Sequence, residues 1–289
     1  MSQSPAELIR LNNLQLAARI VSEELQGGIH LGQRIGAGTE FEQYRHYEPG
    51  DDPKRIDWKL FARSDKYLVK ESTVESNLNI RFIIDLSGSM NYEENGVVRL
   101  AYAKVLIASL AYLAMQQHDK MSFYTLKKGK LELAVPNKGK AFQKILYTLE
   151  QVTAEGSWPD KHPHFPDLLS RERELIIFVS DLLQTDEEWI ELIESMSHPR
   201  REVVLFQLLG DQELSFELDG LYQFEDLESG QVLELDASTA KRKYKEKMDI
   251  YLKELDNRLH LPQIHLIRTT LSQPIPELLK TYLLKRKLH

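Results

Sequence analysis

The chain contains no cysteine among its 289 residues. This absence excludes disulfide bonds, zinc ribbons and thiol catalysis. The sequence also has no excess of positive charge, since its formal net charge is −7. A negative net charge argues against nonspecific binding to nucleic acid or to anionic lipid, so we expect neither as a partner.

The sequence also lacks a long uninterrupted apolar run. Its longest mostly apolar stretch, residues 97–115, carries Arg99 and Lys104 and lies between two predicted strands. We therefore expect a buried helix there and no membrane insertion. Residues 1–30 contain acidic side chains and lack the apolar core of a signal peptide. These absences together predict a cytoplasmic protein.

Predicted strands alternate with predicted helices along most of the chain. This pattern favours an α/β fold with a doubly wound, mostly parallel sheet. The most apolar strands are predicted at 78–86, 174–180 and 202–209, and the pair 121–126 and 130–135 predicts an antiparallel hairpin at one edge. Further strands are predicted at 67–74 and 264–267, and helices at 5–26, 97–117, 139–152, 186–196, 236–259 and 276–283.

The composition predicts two parts of the chain. Residues 1–77 combine an N-terminal helix with an irregular extension, and residues 78–289 form the α/β domain. Within that domain, Asp219-Gly220 and Ser229-Gly230 predict a hairpin insertion at about 211–236. Residues 29–66 are rich in charge and aromatics, which fits either a structured cover with internal ion pairs or a docking surface.

Polar side chains follow two of the buried strands. Asp85 lies at the end of the strand at 78–86, Ser87 and Ser89 follow that strand, and Asp181 follows the strand at 174–180. In an open parallel sheet, ligands bind outside the carboxyl ends of the strands, so neighbouring strands would bring these groups together. Oxygen ligands without imidazole or thiolate suit a hard cation such as Mg²⁺. The alternative role for both acids is capping of the turns that follow the strands.

The D-x-S-x-S pattern of residues 85–89 resembles the metal-ion-dependent adhesion site of the von Willebrand factor A (vWA) fold. The wider chain is similar to the domain-of-unknown-function 58 (DUF58) family, a bacterial branch of that fold. The motifs that carry this likeness are Glu40-Phe41, Arg45 to Tyr47, Pro49 to Asp52, Ile56 to Lys59, Ala62-Arg63, Lys70 before Glu75, Ser180 to Leu183, Asp226 to Gly230 and Thr269-Thr270.

The resemblance implies a non-enzymatic protein-interaction module. Ser87 and Ser89 would bind Mg²⁺ or Mn²⁺ directly, and Asp85 and Asp181 would act through water. An acidic side chain of a partner protein would take the open coordination position. The resemblance further implies an adaptor that works with a MoxR-type AAA+ ATPase in the assembly or activation of other proteins.

The sequence departs from the adhesion-site pattern at the third direct ligand. The resemblance implies a threonine in the loop before the strand at 174–180, whereas the sequence there reads Ala154-Glu155-Gly156-Ser157-Trp158. Ser157 is the candidate because it offers the same hydroxyl without the stiffening methyl group. If Ser157 does not reach the ion, we expect metal binding to be weak or to require the partner.

Two other functions stay open. A Mg²⁺-dependent phosphatase of the haloacid-dehalogenase type would use Asp85 as nucleophile and Ser180 as phosphate ligand. Against it, position 87 is serine where a second motif acid is expected, and Leu209-Gly210-Asp211 supplies one acid where a pair is expected. The other is a vWA-like scaffold with a vestigial metal site, in which residues 29–66 provide the binding surface.

Overall fold

The computed structural model describes residues 3–29, 43–47, 56, 58–64, 66–71, 78–157, 173–183 and 188–286. Its helices are α1 (Pro5–Arg10), α2 (Leu14–Ile29), α3 (Trp58–Ser64), α4 (Arg99–Gln116), α5 (Ala141–Gln151), α6 (Glu188–Met196), α7 (Asp211–Ser215), α8 (Ala237–Arg258) and α9 (Ile275–Arg286). Its strands are β1 (Gln43–His46), β2 (Leu68–Glu71), β3 (Asn79–Asp85), β4 (Glu93–Glu94), β5 (Val97–Val98), β6 (Lys120–Lys127), β7 (Lys130–Val135), β8 (Glu174–Ser180), β9 (Arg201–Leu209), β10 (Leu221–Glu225), β11 (Val232–Asp236) and β12 (Ile264–Thr270). A 3₁₀ turn, Gly88–Asn91, follows β3.

The chain forms two compact units. The first comprises Met1–Leu31 together with Leu78–His289, and the second comprises Gly32–Asn77. The helices at the N-terminus therefore group with the α/β part of the chain, whereas the sequence pattern assigns all of residues 1–77 to one segment. This grouping follows from packing, because Leu8 and Val21 are buried in the same core cluster as Phe82 of β3.

The second unit contains β1, β2 and α3. The two strands pair antiparallel, with Gln43 opposite Glu71 and His46 opposite Leu68. The ring of Phe61 stacks on that of Tyr67 with centroids 4.5 Å apart. Regular elements thus occur within residues 29–66, where the sequence pattern predicts an irregular segment. The motifs at 40–41 and 49–52, and most of the proposed docking surface, lie outside the described residues.

The first unit is built on a mixed sheet whose described strands follow the order β12-β9-β8-β3-β6-β7. Neighbouring strands are parallel, except that β7 runs antiparallel to β6. The chain builds outward from β3 through β6 and β7 on one side, and then from β8 through β9 and β12 on the other. This is a doubly wound sheet with a switch point between β3 and β8, which confirms the predicted α/β fold and its antiparallel edge hairpin.

The central strands are apolar on both faces because helices cover both faces of the sheet. Phe82 and Ile84 of β3 belong to a buried cluster shared with α1, α2, α4, α5 and α9. Ile83, which points to the other face, belongs to a cluster shared with α6 and α8. Every residue of β8 is buried. The core therefore fixes the two strands that carry the predicted site.

Most of the stretch at 97–115 belongs to the buried helix α4, as predicted, whereas Val97 and Val98 form β5. The residues of α4 are buried on most sides, because this helix lies between the sheet and the N-terminal helices. Within the part of the chain that the structure describes, no helix is both long enough and apolar enough to span a bilayer.

The predicted helix at 5–26 is two helices in the structure. Asn12 adopts a left-handed backbone conformation (φ 47°), which asparagine tolerates better than most residues. The side chain of Asn13 then accepts a hydrogen bond from the backbone N–H of Leu16 at 2.9 Å and so starts α2. α2 ends at Ile29, beyond the predicted end at residue 26. It continues through Gly27 and Gly28 because a helical glycine costs only about 1 kcal/mol relative to alanine.

The insertion at 211–236 contains a helix and a hairpin. β10 and β11 pair antiparallel around the turn at 226–230, and we call residues 221–236 the β10–β11 hairpin. The first part of the insertion forms α7 instead of a strand. The carboxylate of Glu213 accepts a hydrogen bond from the backbone N–H of Gly210 at 2.6 Å, which stabilises the start of this short helix.

Candidate functional site

The two predicted acids lie at the same edge of the sheet. β3 and β8 are neighbours in parallel register, with Ile84 opposite Val179. Asp85 ends β3, and Asp181 directly follows β8. Both side chains are fully buried, each with 0% exposure. The topology therefore places them together at the switch point, where doubly wound sheets bind ligands.

Asp85 fixes the backbone of residues 85–89, which we call the serine loop. Its Oδ1 accepts a hydrogen bond from the backbone N–H of Ser87 at 2.9 Å. Its Oδ2 accepts one from the hydroxyl of Ser180 at 2.7 Å, and Ser180 in turn accepts from the N–H of Leu182 at 3.0 Å. Asp85 thus caps the turn after β3 and also ties the end of β3 to that of β8.

The hydroxyl groups of Ser87 and Ser89 converge in the serine loop. Their Oγ atoms are 2.9 Å apart. Two adjacent ligands of an octahedral Mg²⁺, each about 2.0–2.1 Å from the ion, would be about 3 Å apart. The spacing of these hydroxyls therefore fits a pair of adjacent direct ligands for a hard divalent cation.

Asp181 contacts a buried arginine, Arg99, at the start of α4. The Nη1 of Arg99 donates to Asp181 Oδ2 at 2.6 Å and to the backbone oxygen of Ser89 at 2.9 Å. Its Nη2 donates to Glu213, and the guanidinium lies 4.7 Å from the centroid of the Tyr92 ring. Arg99 therefore joins Asp181 to the serine loop. Burial lowers the pKa of Arg99, but the two carboxylates outweigh burial and the net shift is upward.

Further hydrogen bonds hold Asp181 in place. Its Oδ1 accepts from the backbone N–H of Leu183 at 3.3 Å, and its backbone oxygen accepts from the side-chain amide of Gln207 at 3.0 Å. Like Asp85, Asp181 therefore caps a turn after its strand. Capping and a role beside a cation are compatible, because an ionised carboxylate offers about four acceptor positions.

Ser157 lies at the exposed end of a segment that is bound to the serine loop. The N–H of Gly88 donates to the backbone oxygen of Gly156 at 2.7 Å, and the N–H of Glu155 donates to that of Leu86 at 2.9 Å. These bonds bring the backbone before Ser157 to the site. The role of its hydroxyl as a third ligand stays a prediction.

Glu228, which the sequence pattern does not place in the site, reaches it from the β10–β11 hairpin. Its carboxylate accepts a hydrogen bond from the side chain of Ser89. Burial and the negative charges of Asp181 and Asp85 raise the pKa of Glu228 to about 7. The acids at this site thus bring more negative charge than the guanidinium of Arg99 offsets, which suits a divalent cation.

Among the described residues, no group of three or more histidine, cysteine, aspartate or glutamate side chains is arranged to hold a metal ion. The predicted site differs in kind, because serine hydroxyls would be direct ligands and Asp85 and Asp181 would act through water. His162 and His164, the histidine pair with ligand-like spacing, lie outside the described residues.

Sequence reasoning misses Arg99, Glu213 and Glu228. A signal for Arg99 exists, since a cation that is buried in a mostly apolar helix needs a partner of opposite charge. Glu228 lies within the family motif Asp226 to Gly230, but that motif does not indicate a place at the site, and Glu213 has no comparable signal. Glu213 and Glu228 reach the site because the insertion at 211–236 packs over this edge of the sheet. No local sequence pattern indicates that packing.

A doubly wound α/β sheet with a D-x-S-x-S loop at its switch point and an acid after the adjoining strand defines a vWA-like protein. The family model described as "Protein of unknown function DUF58" matches residues 43–250. The chain therefore belongs to the DUF58 family, as the resemblance implies.

Individual proteins are similar to this chain at sequence identities of 24% or less. The uncharacterized proteins Rv1480 of Mycobacterium tuberculosis and Mb1516 of Mycobacterium bovis are each 24% identical over 238 residues, covering 80% of this chain and 74% of theirs. Among solved structures, BatB from Bacteroides thetaiotaomicron has a TM-score of 0.46 at 13% identity, covering 73% of this chain and 100% of BatB. The SpRpn10 VWA domain has a TM-score of 0.40 at 11% identity, covering 70% of this chain and 93% of the domain.

Proposed function

We propose that this protein is a non-enzymatic module that binds partner proteins through a divalent cation, Mg²⁺ or Mn²⁺. Ser87 and Ser89 would hold the ion directly, with Asp85 and Asp181 acting through water. The observation that carries the proposal is the pair of serine hydroxyls 2.9 Å apart, beside two fully buried acids at the switch point of the sheet.

The hydrogen bonds of the two acids support a cation site at which a partner protein completes the coordination. Asp85 is engaged by Ser87 and Ser180, and Asp181 shares its charge with Arg99. Neither carboxylate is therefore free to neutralise the ion fully. A cation held mainly by neutral hydroxyls stays electrophilic and favours a further anionic ligand, such as an acidic side chain of a partner.

Membership of the DUF58 family supports a MoxR-type AAA+ ATPase as a partner. In this role the protein would act as an adaptor in the assembly or activation of other proteins. The proposal can be tested with the MoxR-type ATPase of the same organism by sedimentation velocity. We expect a complex in Mg²⁺ that is lost in EDTA, whereas a complex indifferent to EDTA would favour the scaffold with a vestigial metal site.

The geometry of Asp85 does not support the phosphatase alternative. A nucleophilic carboxylate must present an oxygen to the substrate, but this side chain is fully buried and both of its oxygens accept hydrogen bonds. A generic phosphate-ester assay with Asp85→Asn as control tests this directly. Turnover that is lost in the variant would reverse the assignment.

Calorimetric titration with Mg²⁺ and Mn²⁺ tests the cation site. We expect saturable binding to the wild type and at least about a tenfold loss of affinity in the double variant Ser87→Ala, Ser89→Ala. Ser109→Ala is a matched control, because Ser109 is also buried but donates to a carbonyl within α4. Equal binding by the double variant and the wild type would refute the proposal.

A further inference from the structure

The turn of the β10–β11 hairpin lies directly on the serine loop. A Cβ atom added to Gly88 would be only 2.3 Å from the backbone oxygen of Leu227 and 3.2 Å from the Cα of Glu228. Real Cβ atoms essentially never approach a backbone oxygen so closely, so the close approach requires glycine at position 88. The turn is thus in backbone contact with the loop that carries Ser87 and Ser89.

Internal hydrogen bonds fix the shape of this turn. The side chain of Asp226 accepts from the backbone N–H groups of Glu228 at 2.8 Å and of Ser229 at 3.0 Å. The N–H of Gly230 donates to the backbone oxygen of Asp226 at 2.7 Å. Glu228 is half-buried, while the other residues of the turn are exposed. The backbone that presents Glu228 to the site is therefore well defined.

The carboxylate of Glu228 lies among other acids at the candidate ligands. It accepts a hydrogen bond from Ser89, its backbone packs on Gly88, and the buried carboxylates of Asp85 and Asp181 lie at the same edge of the sheet. Like charges that share a site destabilise one another unless a cation accompanies them. A divalent ion at the two serine hydroxyls would attract all three carboxylates and so offset the repulsion between them.

We propose that Glu228 is an internal ligand of the cation site. It takes the coordination position that the acidic side chain of a partner would otherwise fill, so the β10–β11 hairpin closes the site until such a side chain displaces it. This inference rests on the proposed function, because it requires a cation at Ser87 and Ser89.

Opening of the β10–β11 hairpin should cost little free energy, because few of its side chains are buried. Its strands expose large apolar residues, with Leu221 84% and Leu233 59% exposed. The ring of Phe224 stacks on Phe216 with centroids 5.8 Å apart, and Phe216 stacks on Tyr244 of α8 at 4.3 Å. A segment with few buried contacts opens locally without unfolding the core. The turn at 226–230 can therefore move away from the serine loop while the stacked rings stay in contact.

Hydrogen exchange measured by mass spectrometry tests this inference with Mn²⁺ as the probe. We expect Mn²⁺ to slow exchange of residues 226–230 in the wild type by about tenfold or more relative to EDTA, and to have little effect in Glu228→Gln. Calorimetry should show weaker Mn²⁺ binding by Glu228→Gln, by about tenfold. Glu225→Gln is the matched control, because Glu225 is an exposed acid of the same hairpin, and it should behave as the wild type does.

The outcomes separate the two proposals. If Glu228→Gln binds Mn²⁺ and protects the turn as the wild type does, the internal ligand is refuted while the cation site stands. If Ser87→Ala, Ser89→Ala abolishes Mn²⁺ binding and Glu228→Gln weakens it, both proposals are supported. If the wild type binds no Mn²⁺, both are refuted.

Discussion

At the scale of single residues, Arg99 organises the electrostatics of the site. Its side chain is 1% exposed, and it contacts Asp181, Glu213 and the backbone of Ser89. A buried ion pair adds little net stability compared with an apolar pair, but removing one partner leaves an uncompensated buried charge. Arg99 is therefore required once Asp181 is present.

Replacing Arg99 by methionine should destabilise the fold strongly. We expect Arg99→Met to lower the free energy of unfolding by about 3–5 kcal/mol, because the buried carboxylate of Asp181 loses its counter-charge. Urea denaturation measures the change. The control is Arg19→Met, which breaks an exposed pair with Glu23 whose side chains are 63% and 59% exposed. That variant should unfold almost as the wild type does, and equal losses in both variants would contradict this account.

The predictable site residues are those that the strand pattern locates. Asp85, Ser87, Ser89 and Asp181 each end or follow a strand whose apolar run marks its end, so a shared edge could be inferred for neighbouring strands. Arg99 and Glu228 could not be placed in the same way. Their positions depend on how a helix and a hairpin pack over the sheet edge, which is a tertiary property.

At the scale of elements, the β10–β11 hairpin packs against the serine loop at Gly88. The peptide between Leu227 and Glu228 occupies the space that a side chain at position 88 would need. The hairpin pairing itself is signalled by Ser229-Gly230, and Gly230 takes the expected left-handed conformation with φ 71°. The contact of the hairpin with the site is not signalled by any turn residue.

Alanine at position 88 should lift the hairpin turn. We expect Gly88→Ala to lower the free energy of unfolding by about 1–3 kcal/mol, as overpacking does, and to speed hydrogen exchange at residues 226–230. Gly139→Ala is the control, since a Cβ there meets nothing within 4 Å. Unchanged exchange at the turn in Gly88→Ala would show that the turn does not rest on the serine loop.

At the scale of the whole molecule, the sheet centre is the rigid frame and the site sits at its edge. β3 and β8 are covered by helices on both faces, and their buried runs are what made the doubly wound fold predictable. The predictions fail where side chains act at element ends: Asn12 and Asn13 split the first helix, and Glu213 starts α7. Such side-chain hydrogen bonds to the backbone can interrupt a helix that the apolar periodicity predicts. They depend on one or two residues and are therefore harder to recognise in a sequence than an apolar run.

The same architecture predicts a hierarchy of hydrogen exchange. Amides of β3 and β8 should exchange only on global unfolding, because both strands are buried and paired on both sides. Those of the β10–β11 hairpin should exchange orders of magnitude faster through local opening. Exchange mass spectrometry on the native protein measures both. Equal protection in the β10–β11 hairpin and in the central strands would show that the hairpin does not open independently of the sheet.

The most direct measurement is an anomalous-difference map from a crystal of the protein grown with Mn²⁺. We expect one strong peak within bonding distance of both Ser87 Oγ and Ser89 Oγ, with Asp85 and Asp181 next to the ion but not bound to it directly. A crystal without a peak at these two hydroxyls, at saturating Mn²⁺, would contradict the central claim.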